Sequence, residues 1–232
     1  RMVTSSLLSS ADLTSPIPDN TRRLAEKVTL SHSFVDTESH RVFIRECLPP
    51  NGHYCKGSIL FLHGQSFSSS TWVDNSTMAV LSAGGYRCVA PDLPGVGKTE
   101  GPSLSIEERP SFIMQLRSQL SIKDMMVVCA SMSAPYILPL LGISWLQCVL
   151  AIAPSNTHNL GESSLAKTPV LVVYGEKDTS LGPTSASNLS VLPHCRCIRL
   201  EGAGHAAHIG NPLLFQSVSF NFFELIRSYP PS

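Results

Sequence analysis

From residue 57 to the end of the chain, short apolar runs alternate with stretches of helical periodicity. The run 57–63, Gly-Ser-Ile-Leu-Phe-Leu-His, has no polar alternation, so it predicts a strand buried on both faces. The same reasoning predicts strands over 86–90, 125–130, 146–153, 170–174 and 195–200. Between them, apolar residues at helical spacing predict helices over 70–83, 105–120, 133–141, 183–192 and 213–228. Ahead of these, 27–35 and 41–47 alternate apolar and polar side chains, which predicts an antiparallel pair joined near 37–40. Buried strands joined by helical crossovers require an α/β fold, a mostly parallel sheet with helices on both faces. In such a sheet, chemistry collects at the carboxyl ends of the strands.

Composition narrows the function classes. Apolar residues make up 43% of the 232 and charged residues 15%, which is incompatible with disorder over most of the chain. Lys+Arg and Asp+Glu both number 17, so no surplus charge marks a nucleic-acid or anionic-membrane surface. No apolar run is long enough to cross a membrane. The seven cysteines form no C-x-x-C pair, and Cys88, Cys129 and Cys148 lie inside apolar runs. That predicts reduced thiols and a cytoplasmic or nuclear setting. Residues 1–24 are rich in Ser and Thr, contain Pro16 and Pro18 and lack aromatics, so a mobile tail is expected there. Residues 25–232 are then expected to form one domain, acting as a monomer. Any anchor or targeting segment would lie ahead of Arg1.

Three strand ends carry candidate chemistry. The predicted strand 125–130 runs into Ser131-Met132-Ser133. Small residues on both sides of a serine, between a buried strand and a helix, suit a strained elbow that exposes the hydroxyl. Ser133 is a rival nucleophile, and a serine helix cap is the plain structural alternative. The second strand end, Tyr174-Gly175-Glu176-Lys177-Asp178, puts a carboxylate where it can orient an imidazole, with Asp92 as competitor. At the third, Gly202-Ala203-Gly204 leads into His205. His205-x-x-His208 has no intervening Glu and no obvious third ligand, so no metal is expected. Gly95-Val96-Gly97-Lys98-Thr99 contains G-K-T, but Asp92 stands where a phosphate loop needs glycine.

The order Ser131, Asp178, His205 is similar to the nucleophile–acid–base order of the α/β-hydrolase superfamily. The resemblance covers residues 27–229 and is closest to the α/β-hydrolase domain-containing protein 14 group, which includes the cell-cycle-gene-1-interacting factor B. It is carried by Leu62-His63-Gly64-Gln65-Ser66-Phe67-Ser68-Ser69-Ser70-Thr71-Trp72, by Gly85 to Gly95 with its Pro91-Asp92-Leu93-Pro94, by Ser131-Met132-Ser133, by Tyr174-Gly175 and by Gly202-Ala203-Gly204-His205-Ala206. The resemblance implies an eight-stranded sheet and a triad of Ser131, Asp178 and His205. It implies an oxyanion hole from the N–H groups of Gln65 and Met132, with His63 bracing the loop. It also implies hydrolysis of short acyl esters, or removal of acyl groups from lysine with coenzyme A as a possible acceptor. One branch resembles a nuclear and cytoplasmic partner of a transcription-initiation subunit. The chain departs from the group at Cys129 and at Ala134-Pro135, the latter expected to reshape the acyl pocket.

Only residues 154–168 separate two predicted strands where many hydrolases insert a helical lid. No sizeable lid is expected, which favours small acyl groups over large lipids. Two functional readings follow. One is a serine hydrolase or acyltransferase working through an acyl-serine, needing no cofactor. The other is a hydrolase-fold module whose role is protein contact.

Overall fold

The computed structural model describes residues 3–229. Its strands are β1 Leu30–Asp36, β2 Arg41–Cys47, β3 Gly57–Leu62, β4 Tyr86–Pro91, β5 Met125–Ala130, β6 Leu146–Ile152, β7 Val170–Gly175 and β8 Cys195–Leu200. They form one eight-stranded sheet in the order β1-β2-β4-β3-β5-β6-β7-β8. β2 runs antiparallel to β1 and β4, and every other pairing is parallel. The helices are α1 Ser5–Ser10, α2 Asp19–Ala25, α3 Ser70–Asp74, α4 Thr77–Ala83, α5 Arg109–Gln119, α6 Ala134–Ile137, α7 Leu181–Leu189, α8 Ala207–Gly210 and α9 Pro212–Ser228.

The continuous apolar runs have a simple cause. Successive strand side chains point to opposite faces, and here both faces are covered. Ile59 and Phe61 of β3 enter one core with Trp72 of α3 and Phe215 and Phe223 of α9. Leu60 and Leu62 enter the other, with Phe112 and Ile113 of α5 and Ile137 of α6. Full burial of each such side chain contributes about 1.5–3 kcal/mol. Cys88, Cys129 and Cys148 are buried free thiols within these strands.

Three expectations need correction. The helix expected over 70–83 is two helices, because Ser76 between them takes a left-handed conformation (φ 62°). Asn75 Oδ1 accepts the Thr77 N–H there at 3.1 Å and starts the second helix. The helix expected over 133–141 shrinks to the single turn of α6, followed by a 3-10 turn at Leu138–Leu140. Pro139 has no N–H to continue the ladder.

The third correction concerns residues 1–24. Arg1 and Met2 lie outside the described residues, but from Val3 onward the expected tail is packed. Leu8, Leu13 and Ile17 are buried in the core beneath α9. The Arg196 guanidinium of β8 donates to the carbonyls of Leu8 at 2.9 Å and Ala11 at 2.6 Å. The Asn221 amide of α9 donates to those of Leu13 at 3.1 Å and Ser15 at 2.8 Å. Widely spaced apolar residues in a Ser/Thr-rich stretch show no periodicity. Their partners come from the opposite end of the chain.

Residues 154–168 contain only a 3-10 turn, Gly161–Leu165, and build no cap over the strand ends. Among the described residues, no helix is long and apolar enough to cross a membrane.

The packed N-terminal segment predicts that Leu8→Ala and Leu13→Ala each lower the unfolding free energy in urea by about 2–5 kcal/mol. Unchanged midpoints in both variants would restore the mobile tail.

Candidate active site

β5 ends at Ala130, and Ser131 follows with φ 48°. That left-handed backbone turns the chain sharply into the 3-10 turn Ser131–Ser133 and α6. It leaves Ser131 half-buried beside a pocket of about 210 Å³. Ser133, the rival nucleophile, is fully buried and committed elsewhere. Its Oγ accepts the Ala130 N–H at 2.9 Å, and its one proton lies between the carbonyls of Leu62 at 3.0 Å and Ala130 at 2.9 Å. Ser133 therefore ties the elbow to the end of β3.

β7 delivers Asp178 and the loop after β8 delivers His205. These two segments approach closely because residue 175 is glycine. A Cβ there would overlap the carbonyl oxygens of Ala203 and Gly204. Lys177 N–H donates to Ala203 O at 2.9 Å and Gly202 N–H to Glu176 Oε2 at 2.9 Å, which locks the loops together. His205 Nδ1 lies 2.9 Å from Asp178 Oδ2, and His205 Nε2 lies 3.1 Å from Ser131 Oγ. With Nδ1–H donating to the carboxylate, Nε2 is free to accept from the serine hydroxyl; this tautomer is the one the hydrogen bonds require.

The Asp178 side chain is 3% exposed and that of His205 is 51% exposed. Burial acts to raise the Asp178 carboxyl. The His205 hydrogen bond, the N–H groups of Ser180 and Gly182 and the nearby ring charge outweigh it, and the carboxyl sits below its ordinary value.

The loop after β3 supplies the opposite wall. His63 is fully buried; its Nδ1–H donates to Gly64 O at 2.8 Å, and its Nε2 accepts the Leu93 N–H at 3.0 Å. Burial lowers its pKa, which keeps the ring neutral as that pattern requires. His63 braces the loop and stands apart from the Ser131–His205–Asp178 relay. The loop places Gln65 and Phe67 at the pocket wall. Met132 lies in the first turn after the elbow, where N–H groups have no partner within the helix. Arg109 Nη1 donates to Met132 O at 3.0 Å and steadies that turn.

Asp92, the competing carboxylate, is buried in a different network. It accepts the Ser69 N–H at 2.9 Å, the Ser69 hydroxyl at 2.6 Å and the Lys98 N–H at 2.9 Å. The G-K-T segment is thus a turn folded around Asp92. Pro135, expected to reshape the acyl pocket, lines a neighbouring groove of about 570 Å³ with Leu138 and Asn156, while Ala134 is buried in the core.

Two further residues stand at the site: Ser155 carried no sequence signal, and His208 was weighed only as a metal ligand. Ser155, in the polar loop after β6, donates its N–H and its hydroxyl to Ser131 O, each at 3.0 Å. His208 of α8 lies at the back of the pocket, stacked on Trp72 at 4.8 Å between ring centres. Both its ring nitrogens are buried without a hydrogen-bond partner. Burial, with a smaller contribution from the charge of His205, lowers its pKa to about 4. His208 is therefore a neutral wall residue. Among the described residues, no three His, Cys, Asp or Glu side chains come together as a metal site.

A serine on a strand–helix elbow, an imidazole within hydrogen-bond reach and a buried carboxylate beyond the ring thus stand together at strand ends of this sheet. Comparison with known proteins gives the family. Residues 59–124 match the family model described as "Alpha/beta hydrolase family". The rat protein named "Putative protein-lysine deacylase ABHD14B" is 36% identical over 80% of this chain and 91% of its own length. The mouse protein ABHD14A is 34% identical over 89% of this chain and 86% of its own. A crystal structure of a "predicted CIB-like hydrolase" from Thermoplasma acidophilum superposes with a TM-score of 0.76 at 24% identity, covering 84% of this chain and 98% of that one. The chain belongs to the α/β-hydrolase superfamily and, within it, to the ABHD14 group.

Two outcomes are expected. Gly175→Ala pushes the His205 loop away from β7 and costs about 1–3 kcal/mol in thermal unfolding. His208 gives the folded protein a pH dependence. Its folded pKa is about 4 against 6.5 unfolded, so the stability from a neutral ring is complete above pH 6.5 and is lost as pH falls toward 4. That amounts to about 3 kcal/mol. Asp178 loses its contribution in the same direction, at still lower pH. Urea titrations across pH 4–7 should show a shallower slope for His208→Phe than for the wild type.

Proposed function

We propose that this chain is a serine hydrolase that removes short acyl groups from esters or from acyl-lysine through an acyl-serine intermediate. The observation that carries the reading is the continuous relay Ser131 Oγ to His205 Nε2 to Asp178 Oδ2, with separations of 3.1 and 2.9 Å. Both lie within reach for proton transfer and for orientation of the base.

In the proposed reaction, Ser131 Oγ attacks the acyl carbonyl as its proton passes to His205 Nε2. Asp178 holds the ring in the productive tautomer and stabilises the imidazolium. The N–H groups of Gln65 and Met132 receive the developing oxyanion; each such donor is worth about 3–4 kcal/mol in the transition state. The imidazolium then protonates the leaving alcohol or lysine amine. A water deprotonated by His205 attacks the acyl-serine, releases the carboxylic acid and restores the hydroxyl.

The substrate class is supported by two features. The pocket beside Ser131 is small, about 210 Å³, and among the described residues no lid closes over it to enclose a long chain. The similarity to a protein whose name includes protein-lysine deacylase favours acyl-lysine among short acyl substrates. Water is the proposed acceptor. The pocket and the adjoining groove are lined by no Lys or Arg, so neither offers a cation to the phosphates of coenzyme A.

Labelling with a fluorophosphonate probe tests the reading. Wild type and Ser133→Ala should label, Ser131→Ala should not, and p-nitrophenyl acetate hydrolysis should fall about 10³-fold or more in Ser131→Ala and His205→Ala. Ser133→Ala should instead lose stability, by about 1–3 kcal/mol, because Ala130 N–H and Leu62 O lose their buried partner. A folded wild type that neither labels nor turns over would favour the protein-contact module.

A further inference from the structure

Five non-glycine residues have positive φ among the described residues. Three of them, Ser131 (48°), Ala153 (39°) and Asn156 (55°), meet at one junction. Ala153 and Asn156 bracket Pro154-Ser155 immediately after β6, and no glycine eases either turn. A left-handed alanine is unfavourable and persists only where its surroundings over-determine it. The surroundings here do so. Ala153 N–H donates to Val173 O of β7 at 2.9 Å. Thr157 is held by the Asn188 amide of α7 at 3.0 Å.

The result of these two turns is that Ser155 faces back to the elbow. Its N–H and its hydroxyl both donate to the Ser131 carbonyl, each at 3.0 Å. The carbonyl of Ser131 and the N–H of Met132 belong to one trans peptide and point in opposite directions. Fixing the carbonyl therefore fixes the N–H. The Ala134 N–H of the 3-10 turn donates to the same oxygen, so Ser155 supplies two of its three donors; together they polarise the peptide and strengthen what its N–H can give.

We propose that Ser155 is a positioning residue for the oxyanion hole: its double hydrogen bond to the Ser131 carbonyl aims and polarises the Met132 N–H. The proposal rests on the serine-hydrolase reading above. Ser155 is not among the residues lining the pocket beside Ser131. It acts through the shared peptide, and only where negative charge develops on the acyl oxygen. Its loss should thus affect the transition state and leave ground-state binding alone.

The test is a graded series, Ser155→Thr, Ser155→Cys and Ser155→Ala, in the full chain. Thr keeps the hydroxyl, Cys keeps a weak donor and Ala keeps neither. For Ser155→Ala, kcat for p-nitrophenyl acetate and the rate constant for fluorophosphonate inactivation should each fall about tenfold, less than the 10²–10³-fold for removing an oxyanion donor outright. KM should stay unchanged. Ser155→Thr should recover wild-type rates and Ser155→Cys should fall between. Rates equal to wild type in Ser155→Ala would overturn the proposal while leaving the hydrolase reading intact. So would a rate loss in all three variants that tracks their melting temperatures, because that marks a purely structural role. A wild type that does not react with the probe removes the hydrolase reading and this inference with it.

Discussion

Ser131 takes a backbone conformation that a serine adopts only under constraint, and much of the surrounding structure supplies that constraint. The hydroxyl of Ser133 closes the turn on itself and onto β3. The carbonyl of Ser131 is clamped by the loop after β6. Arg109 of α5 holds the next carbonyl. Three separate elements thus converge on the short run of backbone from Ala130 to Met132. If the turn relaxed toward ordinary helix geometry, the hydroxyl would no longer stand clear at the strand end, and the imidazole 3.1 Å away would lose its partner. A parallel sheet makes such convergence possible, because the carboxyl ends of β3, β5, β6 and β7 lie side by side.

Charge at the site is arranged by unequal burial. Asp178 is enclosed, yet donors surround it and keep it ionised. His205 stands at the mouth, where water can reach it. His208, three residues on, is sealed against Trp72 and held neutral. Two histidines three residues apart, one on the loop after β8 and one on α8, therefore have opposite environments. Of the two, only His205 is open to water. The enclosed one shapes the back of the pocket and makes it apolar except for its two unpartnered nitrogens.

Legibility of the site in the sequence followed the strand ends. Ser131, Asp178 and His205 could each be picked out because each follows a buried apolar run within a few residues. Asp92 satisfied the same rule and was separable only by its partners: its carboxylate is fully used by Ser69 and Lys98. Ser133 was the weaker rival, with Pro135 two residues on, and its hydroxyl proves to bridge two backbone segments. Ser155 was invisible, since a serine in a polar loop carries no pattern, and His208 was noticed only for its spacing from His205, which says nothing of its place in the pocket wall. The N-terminal segment misled for a related reason. Leu8, Leu13 and Ile17 are too far apart to display a period, and the surface that covers them is 200 residues away.

Local sequence determined the class of fold. Apolar runs without alternation can be buried only between two layers, and helical crossovers force the strands to run parallel. Those are consequences of side-chain period and backbone hydrogen bonding. Tertiary structure decided everything that depends on two distant segments touching. It decided which serine is free, which carboxylate meets the imidazole, where Pro135 faces and whether the first residues pack. Gly175 shows the difference most plainly. In the sequence it is one glycine at the end of a strand; in the folded chain it is the gap through which the His205 loop reaches Asp178.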